Sequence, residues 1–148
     1  MNQEPDSQSE YSRRVLEHMY SPGHLGILSS PDGYASYTAP CGDTMEIFLQ
    51  VANNEIQEIK FFTDGCGSTV ACGDVACEMA KGKGVKEAGQ ISREVILEFL
   101  GGLPEETEHC AELAARALKA ALMDYLEQTG ESGEKGLAGT GDSLRGSE

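Results

Sequence analysis

Between residues 44 and 51 apolar and polar side chains alternate. Met45, Ile47, Leu49 and Val51 fall on one side, Thr44, Glu46 and Gln50 on the other, and Phe48 interrupts the polar set. A period of two is the mark of a half-buried strand. Asn53, Asn54 and Glu55 form a turn signal, and residues 56–63 return as the partner strand. A weaker strand signal covers residues 34–38, and residues 11–20 predict a helix with Val15, Leu16 and Met19 on one side, ended by Ser21-Pro22-Gly23. Helical patterns follow over residues 68–80 and 91–100, the second ended by Gly101-Gly102. The longest runs over residues 104–128, where Cys110, Leu113, Ala114, Ala117, Leu118, Ala121, Leu122 and Tyr125 form one apolar stripe. Pro104 suits a first helical turn, and Glu105 and Glu106 suit the positive end of its dipole. A helix, three strands and then helices predict an α+β fold: a three-stranded antiparallel sheet with helices packed on one face.

The hairpin register follows from apolar matching. A three-residue loop at residues 53–55 sets Ile47 against Phe61 and Leu49 against Ile59, with Phe48 against Lys60 and Gln50 against Glu58. A two-residue loop carried through the same ladder would instead oppose Ile47 to Lys60 and Leu49 to Glu58. Extending the preferred register places Cys41 opposite Gly67 and Asp43 opposite Gly65. Cys41 and Cys66 then share the open end of one hairpin, where opposed Cα atoms lie about 4.5–5.5 Å apart. Gly42, Gly65 and Gly67 leave room around both thiols. Cys66 also leads into a helix, a position that favours thiolate.

The other cysteines separate by position. Cys72 shares a helix side with Ser68, Val75, Ala76 and Met79. Cys77 lies roughly 16 Å along the axis from Cys66. Both are expected to be small buried hydrophobes rather than ligands. Cys110 falls on the inward stripe of the last helix, in its second turn if that helix starts at Pro104, where a useful thiolate fraction is expected.

Composition narrows the function. The 148 residues carry 25 acids against 11 bases, a net charge of -14. That balance excludes non-specific nucleic-acid binding and attraction to an anionic membrane. No run approaches the roughly 18 apolar residues of a membrane span. Residues 1–9 show neither an apolar signal segment nor an Arg-rich transit face, so a cytoplasmic protein is expected. With five cysteines at that address, metal or redox chemistry outranks a disulfide framework. Residues 1–9 and 130–148 are expected to be disordered tails, the second with six Gly and three Ser, around a folded domain at residues 10–129. No CxxC occurs, and the spacing of Cys41, Cys66 and Cys110 is not a zinc-finger pattern. From spacing alone, a Cys41–Cys66 disulfide or chance proximity stays open.

Three segments resemble the IscU/NifU family of iron–sulfur cluster assembly scaffolds. Ala39-Pro40-Cys41-Gly42-Asp43-Thr44-Met45 is similar to its P-C-G-D segment entering a strand. Gly65-Cys66-Gly67-Ser68-Thr69-Val70-Ala71 is similar to its G-C-G-S-A-x-A turn into a helix. Leu103-Pro104 followed by His109-Cys110 is similar to its L-P-x-x-K-x-H-C segment, and residues 11–18 and 22–26 resemble its opening helix and loop.

The resemblance implies that Cys41, Cys66 and Cys110 gather at one exposed end with Asp43 and His109. It implies a protein that is not an enzyme in the turnover sense. A cysteine desulfurase delivers persulfide sulfur, with Cys110 the candidate acceptor and Cys41 or Cys66 the alternatives. Iron arrives separately, and a transient 2Fe–2S cluster is built and passed to recipient apo-proteins. Asp43 looks like the weaker fourth ligand, with His109 its nearest competitor. The same set would bind zinc, so one alternative is a zinc-bound sulfur acceptor that activates a desulfurase, and another is a small structural zinc domain. Thr107 stands where the family has Lys, within the stretch at which a DnaK-like chaperone recognises many members, so the resemblance does not extend to that partner. The zinc-bound SufU branch has an insertion between the second and third cysteines and Arg at the place of His109; this chain shares neither feature.

Overall fold

Ser12 starts the first helix. Its hydroxyl oxygen accepts the Val15 N–H at 3.2 Å and donates to the Leu100 carbonyl at 2.6 Å. Helix α1 (Arg13–Tyr20) is therefore capped and anchored by the same side chain, and begins two residues later than its apolar pattern. The structure is a computed structural model that describes residues 11–130, and the disorder expected for residues 1–9 and, apart from Gly130, for residues 130–148 lies outside them. Strands β1 (Gly33–Thr38), β2 (Thr44–Ala52) and β3 (Glu55–Thr63) form an antiparallel sheet in the order β1-β2-β3. Helices α2 (Gly67–Ala80), α3 (Val85–Ala88) and α4 (Arg93–Leu100), a 3₁₀ turn (Glu105–Thr107) and helix α5 (His109–Thr129) follow. Among the described residues, no helix is long and apolar enough to cross a membrane.

The alternating strand pattern is realised as two unlike faces. Met45, Ile47, Leu49, Ile59 and Phe61 are fully buried on the inner face, beneath α5 and α2. Phe48 belongs to the outer face yet is only 6% exposed, because Tyr34 of β1 lies opposite and covers its ring at 5.1 Å. The interruption in the polar face is thus an aromatic cross-strand pair. Gly73 lets α2 lie on the sheet: a Cβ there would come within 2.6 Å of the Phe61 ring.

The register is the one chosen by apolar matching, but the turn is not. Ile47 faces Phe61 and Leu49 faces Ile59. Near the turn, however, Val51 pairs with Ile56 and Ala52 with Glu55, leaving a two-residue turn of Asn53 and Asn54 at φ 57° and 63°. Asparagine tolerates this left-handed conformation, and the twist of such a turn matches the strands. An irregularity between Gln50 and Val51 inserts one residue in β3 and shifts the ladder by one. Both registers therefore occur in one hairpin.

The last helix also differs at its start. Pro104 precedes the 3₁₀ turn, and α5 begins only at His109. Of its expected stripe, Cys110, Leu113, Ala114, Ala117, Leu118, Ala121 and Leu122 are buried and Tyr125 is half-buried. Gly130, left-handed at φ 79°, ends it.

Candidate metal centre

Two tight turns and two helix starts meet at one end of the sheet. The first turn joins β1 to β2: Ala39 N–H donates to the Asp43 carbonyl and Gly42 N–H to the Ala39 carbonyl, each at 2.9 Å. Gly42 sits at φ 101°, which explains a glycine there. Cys41 is exposed at the tip of this turn, and Asp43 returns half-buried beside β2. Cys41 is thus carried by the β1–β2 turn and not by an extension of the β2–β3 ladder, whose last pair is Met45 with Thr63. The Thr63 hydroxyl closes that ladder by donating to the Thr44 carbonyl at 2.6 Å, and Asp64 accepts the Thr44 N–H at 3.0 Å.

Cys66 is the residue immediately before α2, with extended backbone, and is exposed. Behind it Gly67 packs on Met19 of α1, whose sulfur would be 2.6 Å from an added Cβ. The Tyr11 and Ser68 hydroxyls meet at 2.7 Å and tie the segment before α1 to the same turn. From the other side, α5 opens with exposed His109 and buried Cys110.

One hydroxyl joins these pieces. Thr69 is fully buried. Its Oγ1 donates to Asp43 Oδ2 at 3.3 Å and lies 3.3 Å from Cys110 Sγ and 3.7 Å from Cys66 Sγ. The hydroxyl's one proton goes to Asp43 while the thiols are protonated, and can turn to a Cys66 or Cys110 thiolate when one forms. His109 Nε2 is 3.9 Å from Cys110 Sγ, and ligand atoms of Cys41, Asp43 and His109 all lie within 4.8 Å of one another. Three thiols, a carboxylate and an imidazole therefore surround one small region.

The thiols are unlike. Partial burial pushes Cys66 up, but the backbone and side-chain groups of Thr69 and Ser68 at the helix start outweigh it and hold its pKa below the ordinary thiol value. Burial pushes Cys110 up to about 11; the Thr69 hydroxyl opposes this, while negative charge on Cys66 and Asp43 adds to it. A useful thiolate fraction at Cys110 in the metal-free protein is therefore corrected. It lies in the first turn of α5, yet desolvation exceeds what the helix dipole supplies. Soft thiolates beside one oxygen and one nitrogen donor form a set suited to zinc or to iron–sulfide.

Residues 10–132 match the family described as NifU-like N terminal domain. This chain belongs to that family. It is 43% identical over 122 residues to the iron-sulfur cluster assembly scaffold protein IscU 1 of Archaeoglobus fulgidus, covering 82% of this chain and 80% of that one. Against the scaffold protein IscU of Aquifex aeolicus it is 37% identical over 124 residues, covering 82% and 79%. The fold is shared with a crystal structure from Fervidobacterium islandicum AW-1, assigned to iron-sulfur cluster assembly for the SUF system. There the TM-score is 0.62 at 19% identity, covering 78% of this chain and 98% of that one.

Within this NifU-like domain, Cys72 and Cys77 belong to the core, Cys72 near enough to Cys110 and Cys66 to feel their charge. Both are fully buried in the core, and burial pushes each thiol well above its ordinary pKa. Thr69 is the residue that sequence reasoning did not single out. The available signal was its place in Gly65-Cys66-Gly67-Ser68-Thr69, where the family segment carries Ala.

Proposed function

We propose that this chain is a scaffold on which a 2Fe–2S cluster is assembled and from which it is passed to recipient apo-proteins, and that it has no catalytic turnover of its own. The observation that carries this reading is the convergence of Asp43, Cys66 and Cys110 on the buried hydroxyl of Thr69, with His109 beside Cys110 and both His109 and Cys41 beside Asp43. Cys41, Cys66 and Cys110 supply soft thiolate, and Asp43 supplies a harder and weaker fourth bond, with His109 able to replace it. Cluster release is easier from such a mixed set than from four thiolates. Exposed Cys41 and Cys66 are open to a cysteine desulfurase carrying persulfide sulfur, whereas Cys110 holds its proton until a metal displaces it. Zinc fits the same donors as a tetrahedral ion.

Anaerobic reconstitution with ferrous iron, cysteine and a cysteine desulfurase, followed by visible spectroscopy, tests the proposal. The wild type should develop iron–sulfide absorption, and Cys41→Ser, Cys66→Ser and Cys110→Ser should each lose most of it. Cys72→Ala should keep it. A wild type that takes up zinc and desulfurase sulfur but never an iron chromophore would replace the scaffold with a zinc-bound sulfur acceptor.

A further inference from the structure

Asp74 is a buried carboxylate away from the candidate metal centre. It is 2% exposed on α2, eight residues beyond Cys66 and so about 12 Å along the axis. Both its oxygens are engaged. Oδ1 accepts the His24 backbone N–H at 2.8 Å, and Oδ2 lies 2.6 Å from His18 Nδ1 of α1. A carboxylate only accepts, so the ring proton of His18 lies on Nδ1. The edge of His18 packs against Phe99, with ring centroids 5.9 Å apart. The imidazole is thus held in one tautomer and one orientation.

Its other nitrogen opens on a cleft of about 370 Å³ lined by Glu17, His18, His24, Asp74 and Glu78. There Nε2 faces Glu78 Oε1 at 3.7 Å. An N–H···O hydrogen bond reaches only about 3.2 Å. Two ligands of a tetrahedral ion bound at about 2.05 Å stand roughly 3.4 Å apart. The observed gap is wide for a proton and near the span of a cation. A neutral imidazole oriented from behind by a buried carboxylate is also the usual environment of a metal-bound histidine.

We propose that His18 Nε2 and Glu78 bind a divalent first-row cation at the α1–α2 junction, with Asp74 positioning the imidazole. One nitrogen and a carboxylate, without thiolate, suit Fe²⁺, Zn²⁺ or Mn²⁺. Glu78 is half exposed and free to close the last few tenths of an ångström, and Glu17 and His24 border the open coordination positions. With water completing the shell, this ion exchanges readily. The site stands whether or not the thiols carry a cluster.

The test uses the full chain, Zn²⁺ as the probe and nitrogen-15 NMR of the histidine side chains at neutral pH. Zn²⁺ added beyond what the thiols take up should shift the His18 Nε2 resonance. Glu78→Gln changes a half-exposed side chain, so the fold should persist while affinity at His18 falls at least about tenfold. Alkylation protection of Cys41 and Cys66 by the first Zn²⁺ should be unchanged in this variant, which separates the two sites. A protonated Nε2 that Zn²⁺ does not move would make the trio an ion-paired helix clamp and overturn the proposal. Unchanged Zn²⁺ affinity at His18 in Glu78→Gln would overturn it equally.

Discussion

Thr69 Oγ1 lies 3.3 Å from Cys110 Sγ, and that contact connects the first turn of α2 to the first turn of α5. Because the same oxygen donates to Asp43, also at 3.3 Å, it links a thiol and the carboxylate proposed to share one metal. Partners of this kind orient ligands, and their loss typically weakens metal binding about 10- to 100-fold. Thr69→Ala is expected to lower Zn²⁺ affinity by about tenfold, the low end because Asp43 is only half-buried. Thr69→Ser, which keeps the hydroxyl, should restore it. Competition against a chromophoric chelator measures both, and equal affinities for wild type and Thr69→Ala would reduce Thr69 to a packing residue.

Asp43 is expected to make a bound cluster labile. A carboxylate holds iron–sulfide less strongly than a thiolate does. After reconstitution, Asp43→Ala should lose its visible absorption in air more slowly than wild type and pass the cluster to an acceptor protein more slowly. Faster decay in the variant would mean that Asp43 serves the β1–β2 turn alone.

The cysteines should alkylate in a definite order. Cys66 is exposed with a lowered pKa, whereas Cys110 is buried with a thiol near 11. Limited iodoacetamide treatment of the metal-free protein, mapped by peptide mass spectrometry, should label Cys66 well before Cys110. Cys72 and Cys77 should react only on unfolding. Early labelling of Cys110 would show that the end of α5 opens in solution.

Stability should fall on the alkaline side. Burial raises the thiol pKa of Cys72, Cys77 and Cys110 above the unfolded value of about 8.5. Above that pH the unfolded chain releases these protons while the folded chain keeps them. The folded state then binds more protons, and raising the pH favours unfolding. Each such thiol costs at most about 1.4 kcal/mol per pH unit, for Cys110 until about pH 11. Urea midpoints from pH 7 to 10 should be flat at first and then decline. Cys77→Ala should reduce the slope of that decline, and an identical slope would place the pH sensitivity elsewhere.

Local pattern was enough for the sheet and for the direction of the cysteines. Alternation in β2 decided which residues face inward, and apolar matching decided that Ile47 meets Phe61. The same matching could not distinguish a three-residue loop from a two-residue turn followed by a bulge, because both produce identical pairs in the middle of the strands. The stripe of α5 turned Cys110 inward whichever residue began the helix. Motif resemblance then joined Cys41, Cys66 and Cys110 before any coordinate did.

What tertiary structure alone decided is the chemistry of each group once gathered. Whether Cys110 ionises depends on how much water α2 and the β1–β2 turn exclude from it, and burial outweighed the helix dipole that local sequence advertises. Thr69 gained its role only when three segments, from residues 43, 66 and 110, closed on its hydroxyl. His18 and Asp74 lie 56 residues apart and share no pattern, so their contact arises solely from α1 packing across α2. Periodicity records which side of an element is buried. Desolvation and hydrogen bonding depend on what another element brings to that side, and no single stretch of chain encodes its partner's surface.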